Sequence, residues 1–249
     1  MMPGPPFQAF GPAHLTVIAL TIGIPFLLAA FVRRSEQRTV ERGIAFVLAG
    51  LLIGNYLTYL FFVRHFKLVT WQQALPLQLC DWAMVVIVLA MLTGSRRWFE
   101  VAYFWGIGGT LQAILTPNLP FGFPDLRFFS FFVAHSGIII GIIFMMLVHK
   151  YRPYPMSIVR AFLWSELYFV VTYIVDRLTG VNYGFLLHKP EAFSLLSFLS
   201  DQPILYLFQM HLLALLFFCL LYLPFWIFDS VVRRKESPAP IGSELGRVR

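Results

Sequence analysis

The sequence predicts an all-α, polytopic membrane helix bundle of seven transmembrane helices, with the N-terminus outside and the C-terminus in the cytoplasm. Three observations predict it. Hydrophobic residues make up 59% of the chain and charged residues 12%, with a mean hydropathy of +0.75, far too apolar for water to be the solvent of most of its surface. Apolar runs of about 20 residues, the length that crosses the hydrocarbon layer, recur between charged or Pro/Gly-rich breaks. Of the 19 Lys and Arg residues, 14 fall on alternate connections, as the cytoplasmic preference of basic loops requires.

The first helix is expected over 12–32. No Lys or Arg precedes it and Arg33 and Arg34 follow at once, so it reads as a retained span and not a cleaved signal peptide. The second, 43–63, follows Arg38 and Arg42. The third, 76–93, starts at Pro76, and the fourth, 98–116, stops before Pro117. The fifth, 128–148, precedes Lys150 and Arg152, with the sixth expected over 157–177. The seventh, 203–229, leads to Arg233, Arg234 and Lys235. One transmembrane domain is thus expected over 1–232. Residues 233–249, with Pro238, Pro240 and scattered charge, read as a disordered cytoplasmic tail. The net charge of +7 is spread over short loops without a basic stripe carrying interleaved aromatics, which argues against nucleic acid and fits topology and anionic lipid.

A polar side chain in hydrocarbon costs a few kcal/mol, so its depth is informative. Gln78, Cys80 and Asp81 fall in the first two turns of the third helix, and His135 about two turns into the fifth. Gln112, Thr116 and Asn118 come at the outer end of the fourth, Asp176 at that of the sixth, and Asp201, Gln209 and His211 at that of the seventh. The expectation is an outward-facing polar cup with an apolar floor. Asn55, Tyr59 and Glu166 are assigned to the poorer inner half. Phe121, Phe123, Phe128, Phe129, Phe131 and Phe132 crowd His135 and suit either lipid-facing packing or the wall of an acyl-chain pocket. Gly106, Gly108 and Gly109 suit close approach of another helix. His14, His65, His149 and His188, at helix ends or in loops, are expected to be solvated.

Cys80 and Cys219 should differ in depth by roughly 15 to 20 Å, too far for a disulfide. Cys219 reads as apolar filler. Cys80 shares its depth with His135, and a thiol beside an imidazole is a nucleophile with its base; a small buried thiol and a hydrogen-bonded structural histidine are the plain alternative. A metal site from His135, His211 and Asp81 or Asp201 lacks any local ligand spacing, and neither a metal nor a cofactor is expected.

Four separated motifs carry a resemblance. The runs Leu75-Pro-Leu-Gln-Leu-Cys80-Asp81, Gly108-Gly-Thr-Leu-Gln112-Ala-Ile-Leu-Thr-Pro117-Asn118, His135-Ser-Gly137, and Gly180-Val-Asn182-Tyr183 with Lys189-Pro190 resemble the YwaF-like family of bacterial integral membrane proteins, which is similar to the animal transmembrane protein 164 group. The resemblance implies a bacterial cell membrane protein that moves acyl groups between lipids through a thioester on Cys80, with His135 as base. On that reading Gln112, Asn118 or Asn182 would supply oxyanion donors, and Gln78, Asp81, Tyr183, Asp201 and His211 would complete a polar pocket. The expected partners are membrane phospholipids or other amphiphilic small molecules, with transfer and hydrolysis both open. The other reading is non-enzymatic: binding, sensing or transport of a small polar or amphiphilic ligand through Asp81, Asp201 and His211.

Overall fold

The computed structural model describes residues 5–190 and 194–236. Among them are eight α-helices: α1 Pro12–Ser35, α2 Arg38–His65, α3 Leu79–Thr93, α4 Arg96–Trp105, α5 Leu111–Leu115, α6 Leu126–Val148, α7 Pro155–Thr179 and α8 Pro203–Glu236. A π-helical turn, Gly106–Thr110, joins α4 to α5 in one rod. Strands are absent from the described residues, apart from one isolated bridge between Pro6 and Phe121. The all-helical class is as the sequence predicts. Five helices, α1, α2, α6, α7 and α8 as far as Val232, are long and apolar enough to cross a membrane, while α3 is a shorter apolar helix.

Local chemistry explains most boundaries. Pro12, Pro155 and Pro203 open α1, α7 and α8, where the missing N–H is one that no intrahelical carbonyl would have taken. Gly94 and Gly180 close α3 and α7 in the left-handed region, at φ 64° and 73°, which glycine enters without a Cβ clash. The Asp125 carboxylate caps α6 by accepting from Arg127 N–H at 2.8 Å. Two starts differ most from the expectation: α2 begins at Arg38, five residues before position 43, and α3 begins at Leu79, not Pro76. Asp81 Oδ2 accepts from Gln78 N–H at 3.0 Å in a capping box, while Tyr168 Oη–H donates to Leu77 O at 3.1 Å and Trp82 Nε1–H to Pro76 O at 3.2 Å. These bonds hold 75–78 out of the helix and put Cys80 in its first turn. At the other end of the chain α8 runs to Glu236, four residues into the expected tail; 237–249 lie outside the described residues.

Successive rods alternate in direction. Arg33 donates to Leu147 O, His149 faces Glu41 at 3.3 Å, Tyr151 Oη–H donates to Gly94 O at 2.6 Å and Arg152 pairs with Asp229. The ends of α1, α3, α6 and α8 therefore meet the starts of α2, α4 and α7 at one basic end. Buried Glu100 joins the same network through Arg96, at 3.3 Å, and Arg160. Helices α3, α4 and α6 form the centre, where Ile87, Phe99, Phe104, Trp105, Ile142 and Phe144 are almost completely enclosed. Around them, α1, α2, α7 and α8 leave rows of Leu, Phe, Ile and Val exposed, the surface a lipid solvent requires. The glycines of the π turn sit where rods touch: a Cβ on Gly106 would collide with Ile142 of α6, and one on Gly109 would stand 3.2 Å from Leu79 of α3. Close backbone approach is what small residues allow in membrane helices.

Candidate functional site

At the end opposite the basic cluster, α2, α3 and α6 enclose a cavity of about 570 Å³ with the segments 69–75 and 118–121 and Tyr183. That volume is typical of a small-molecule site. Gln78, Cys80, Asp81, Asn118, His135 and Tyr183 all line it. Cys80 lies in the first turn of α3. Both cysteines are free, with Cys219 exposed on α8.

His135 is nine-tenths enclosed and its tautomer follows from its neighbour. Its Nδ1 lies 2.7 Å from Phe131 O, and a carbonyl oxygen can only accept, so Nδ1 carries the proton and the neutral ring keeps its lone pair on Nε2. The Phe131 ring stacks on the imidazole at 4.1 Å between centroids. This fixes the ring from two sides and leaves Nε2 as the basic atom.

The wall segments are held by tyrosines. Tyr183 Oη–H donates to Gln72 O and accepts from Leu75 N–H at 3.1 Å, while Tyr183 N–H donates at 3.0 Å to Asp176, which is fully buried. Tyr183 thus lines the cavity as a strut. Its phenol is held above its ordinary pKa, chiefly by burial, so it serves as a neutral donor. Asp81 contributes its capping oxygen to Gln78 N–H.

Other candidates lie elsewhere. Gln112 is exposed on α5, beyond the π turn. Asn182 closes its own loop, its Oδ1 accepting from Leu187 N–H at 2.9 Å. Asp201 is exposed and pairs with Lys189 at 2.7 Å. His211 faces Glu166 of α7 at 3.3 Å and donates from Nδ1 to Leu207 O at 2.6 Å. Among the described residues, the ligands weighed for a metal site, His135, His211 and Asp81 or Asp201, are not brought together. Glu166 acts as a partner between α7 and α8.

Two assignments change. Asn55 and Tyr59, placed in the inner half from sequence, line this cavity together with Tyr56 and Arg127; Asn55 Nδ2–H donates to Ser130 O at 3.0 Å. Asn55 and Tyr59 stand four residues apart on one face of α2, and that spacing was the signal available for them. His14 is completely buried, not solvated: its Nε2–H donates to Ile114 O at 2.7 Å and Nδ1 accepts from Phe10 N–H at 2.9 Å. The phenylalanines divide. Phe121 and Phe131 line the polar cavity, whereas Phe123, Phe128, Phe129 and Phe132 line a separate apolar groove of about 780 Å³ between α1, α2 and α6.

The sequence matches the TMEM164 family over residues 9–222. The chain belongs to the TMEM164 family. No curated protein and no solved structure matches it. The family match extends from the loop before α1 through most of α8, so in this TMEM164 family member every wall of the polar cavity falls within it. Membership and the apolar helices together make it a multi-pass integral membrane protein.

Proposed function

We propose that this chain is a lipid acyltransferase of the bacterial, YwaF-like branch of its family, working from a cavity open to the outer leaflet. The carrying observation is that Cys80 and His135 line one cavity and that the Phe131 carbonyl directs the basic lone pair of the imidazole to Nε2. Seven rods cross the bilayer in this reading, α3 and the α4–α5 rod included, and the basic end faces the cytoplasm.

A lipid ester enters between the helices. His135 Nε2 takes the Cys80 proton, and the thiolate attacks the ester carbonyl. In this reading the side chain of Asn118, which lines the same cavity, supplies a donor to the developing oxyanion. As the tetrahedral intermediate collapses, the carbon–oxygen bond to the alcohol breaks and the imidazolium returns the proton to the leaving oxygen. Cys80 is left as a thioester. A second lipid hydroxyl then attacks with the same base, restoring the thiol; water in that position would make the reaction a hydrolysis. Neither metal nor cofactor takes part.

Incubating the purified protein with an acyl-labelled phospholipid tests this. Intact mass should show one added acyl group in the wild type and none in Cys80→Ala, with the rate in His135→Ala down by about 10²-fold or more. Lipid remodelling that persists in Cys80→Ser and His135→Ala would overturn the proposal, as would ligand flux indifferent to Cys80→Ala.

A further inference from the structure

We propose that Arg127 is a specificity-determining residue that grips the phosphate of a phospholipid and thereby sets which ester reaches Cys80; the inference rests on the acyl-transfer reading of the same cavity. Among the described residues lining the cavity, Arg127 is the only Lys or Arg. Its guanidinium is clamped in place. Nε and Nη2 donate to the two oxygens of Asp125 at 2.8 and 2.7 Å, and the Phe121 ring lies 3.2 Å away, centroid to Cζ, beneath the guanidinium plane. An arginine that only anchors the protein at the interface extends its charge to water. This one has a side chain 21% exposed and lies in the cavity wall.

The clamp leaves a free edge. Of the five N–H donors of a guanidinium, two go to Asp125, so both on Nη1 and one on Nη2 remain. That edge matches two oxygens of a phosphate, and a guanidinium already fixed loses little freedom on binding one. Spacing then supplies a ruler. Arg127 and His135 are eight residues apart on α6, about 12 Å along its axis. In a glycerophospholipid roughly five bonds, or about 6 Å, separate the phosphorus from the carbonyl carbon of the middle-position ester. The guanidinium and the imidazole both reach back along α6, to Asp125 and to the Phe131 carbonyl, so the offset between them is kept, and the contacts of guanidinium with phosphate and of imidazole with thiol take up the rest. A lipid held at Arg127 therefore brings an ester carbonyl to the level of Cys80 and His135, whereas a lipid lacking phosphate has nothing to fix its register.

The test uses a probe that cannot be transferred. The full-length protein is incubated with an equimolar mixture of a diether phosphatidylglycerol and the matching dialkylglycerol, and the lipid retained is read by native mass spectrometry. Wild type and Cys80→Ala should favour the diether phospholipid by about tenfold or more, the scale of a charge-assisted hydrogen-bond pair. Arg127→Gln should bring the ratio close to one, and Arg127→Lys, which keeps the charge but not the fork, should fall between. Equal retention by the wild type, or an unchanged ratio in Arg127→Gln, overturns the proposal; if that variant does not fold, an unchanged ratio in Arg127→Lys does so. Displacement of the diether lipid by equimolar soluble glycerol phosphate also overturns it, by showing a site for free phosphate. The two readings fail separately. If the diether ratio holds and ester phospholipids leave no adduct on Cys80, acyl transfer falls and the phosphate grip stands; adduct formation indifferent to lipid phosphate and to Arg127→Gln does the reverse.

Discussion

At Asp125 one carboxylate does two jobs, accepting from the Arg127 backbone N–H to cap α6 and from the Arg127 side chain to aim its guanidinium. The guanidinium holds this carboxyl below the usual carboxylate range, so the folded protein takes up that proton less readily than the unfolded chain. Its stabilising contribution is complete above the ordinary range and is lost as the pH falls through it toward the lower folded value. Asp125→Asn keeps a competent cap and removes only the charge. Its thermal midpoint in detergent should lie a few degrees below the wild type at pH 7, with the gap closing below about pH 4. His135 gives a second prediction. Phe131 presents its carbonyl to Nδ1 through the helix backbone, so Phe131→Leu should keep the tautomer and lose only the stacked ring. The acylation rate in that variant should fall far less than in His135→Ala, read from the same intact-mass time course. That Cys80 and His135 would reach one cavity was legible from matched depth; the partner of His135 was not, because a backbone carbonyl leaves no mark in the sequence.

Among the elements, the segment before α1 and the loop before α6 support each other. Gly122 N–H donates to Pro5 O at 2.6 Å and Phe7 N–H to Pro120 O at 3.3 Å, which braces the wall segment that carries Asn118 and Phe121. A Cβ on Gly122 would stand 2.8 Å from Pro6 O, and a backbone oxygen cannot swing aside as a side chain can. Gly122→Val should therefore lower stability by about 1–3 kcal/mol and make the segment before Pro12 more sensitive to limited proteolysis. Helix positions were largely legible here, because apolar runs and their flanking charges mark them. Faces were less so. The π turn at Gly106–Thr110 adds a residue to one turn and rotates α5 by about 100° relative to an unbroken α-helix. Gln112 comes just after it, so its depth could be read from the sequence but its face could not. The late start of α3 has a similar origin, since Pro76 marks a possible helix start and tertiary bonds from Tyr168 and Trp82 decide against it.

Across the whole molecule the two ends differ in kind: one gathers arginines and buried Glu100, and the other holds the polar cavity. In the proposed orientation, a cysteine placed at Lys67 in a Cys80→Ala, Cys219→Ala background should react with a membrane-impermeant thiol reagent on intact cells. One placed at Lys150 should react only after permeabilisation; the opposite pattern would reverse the topology. Composition and charge bias were enough to read the class and this asymmetry. Sequence depth could not tell that Asp201 and His211 turn to Lys189 and Glu166, because depth alone does not say which helices are neighbours. The wall formed by 69–75 has a further property. Tyr183 holds it through Gln72 O and Leu75 N–H, and Tyr168 grips Leu77 O just beyond, so its course is set by main-chain atoms that every residue possesses. Ala74 can then be exchanged for larger or more polar residues while the wall keeps its path. Evolution, or a designer, could redraw the shape of the chamber there without rebuilding the bundle.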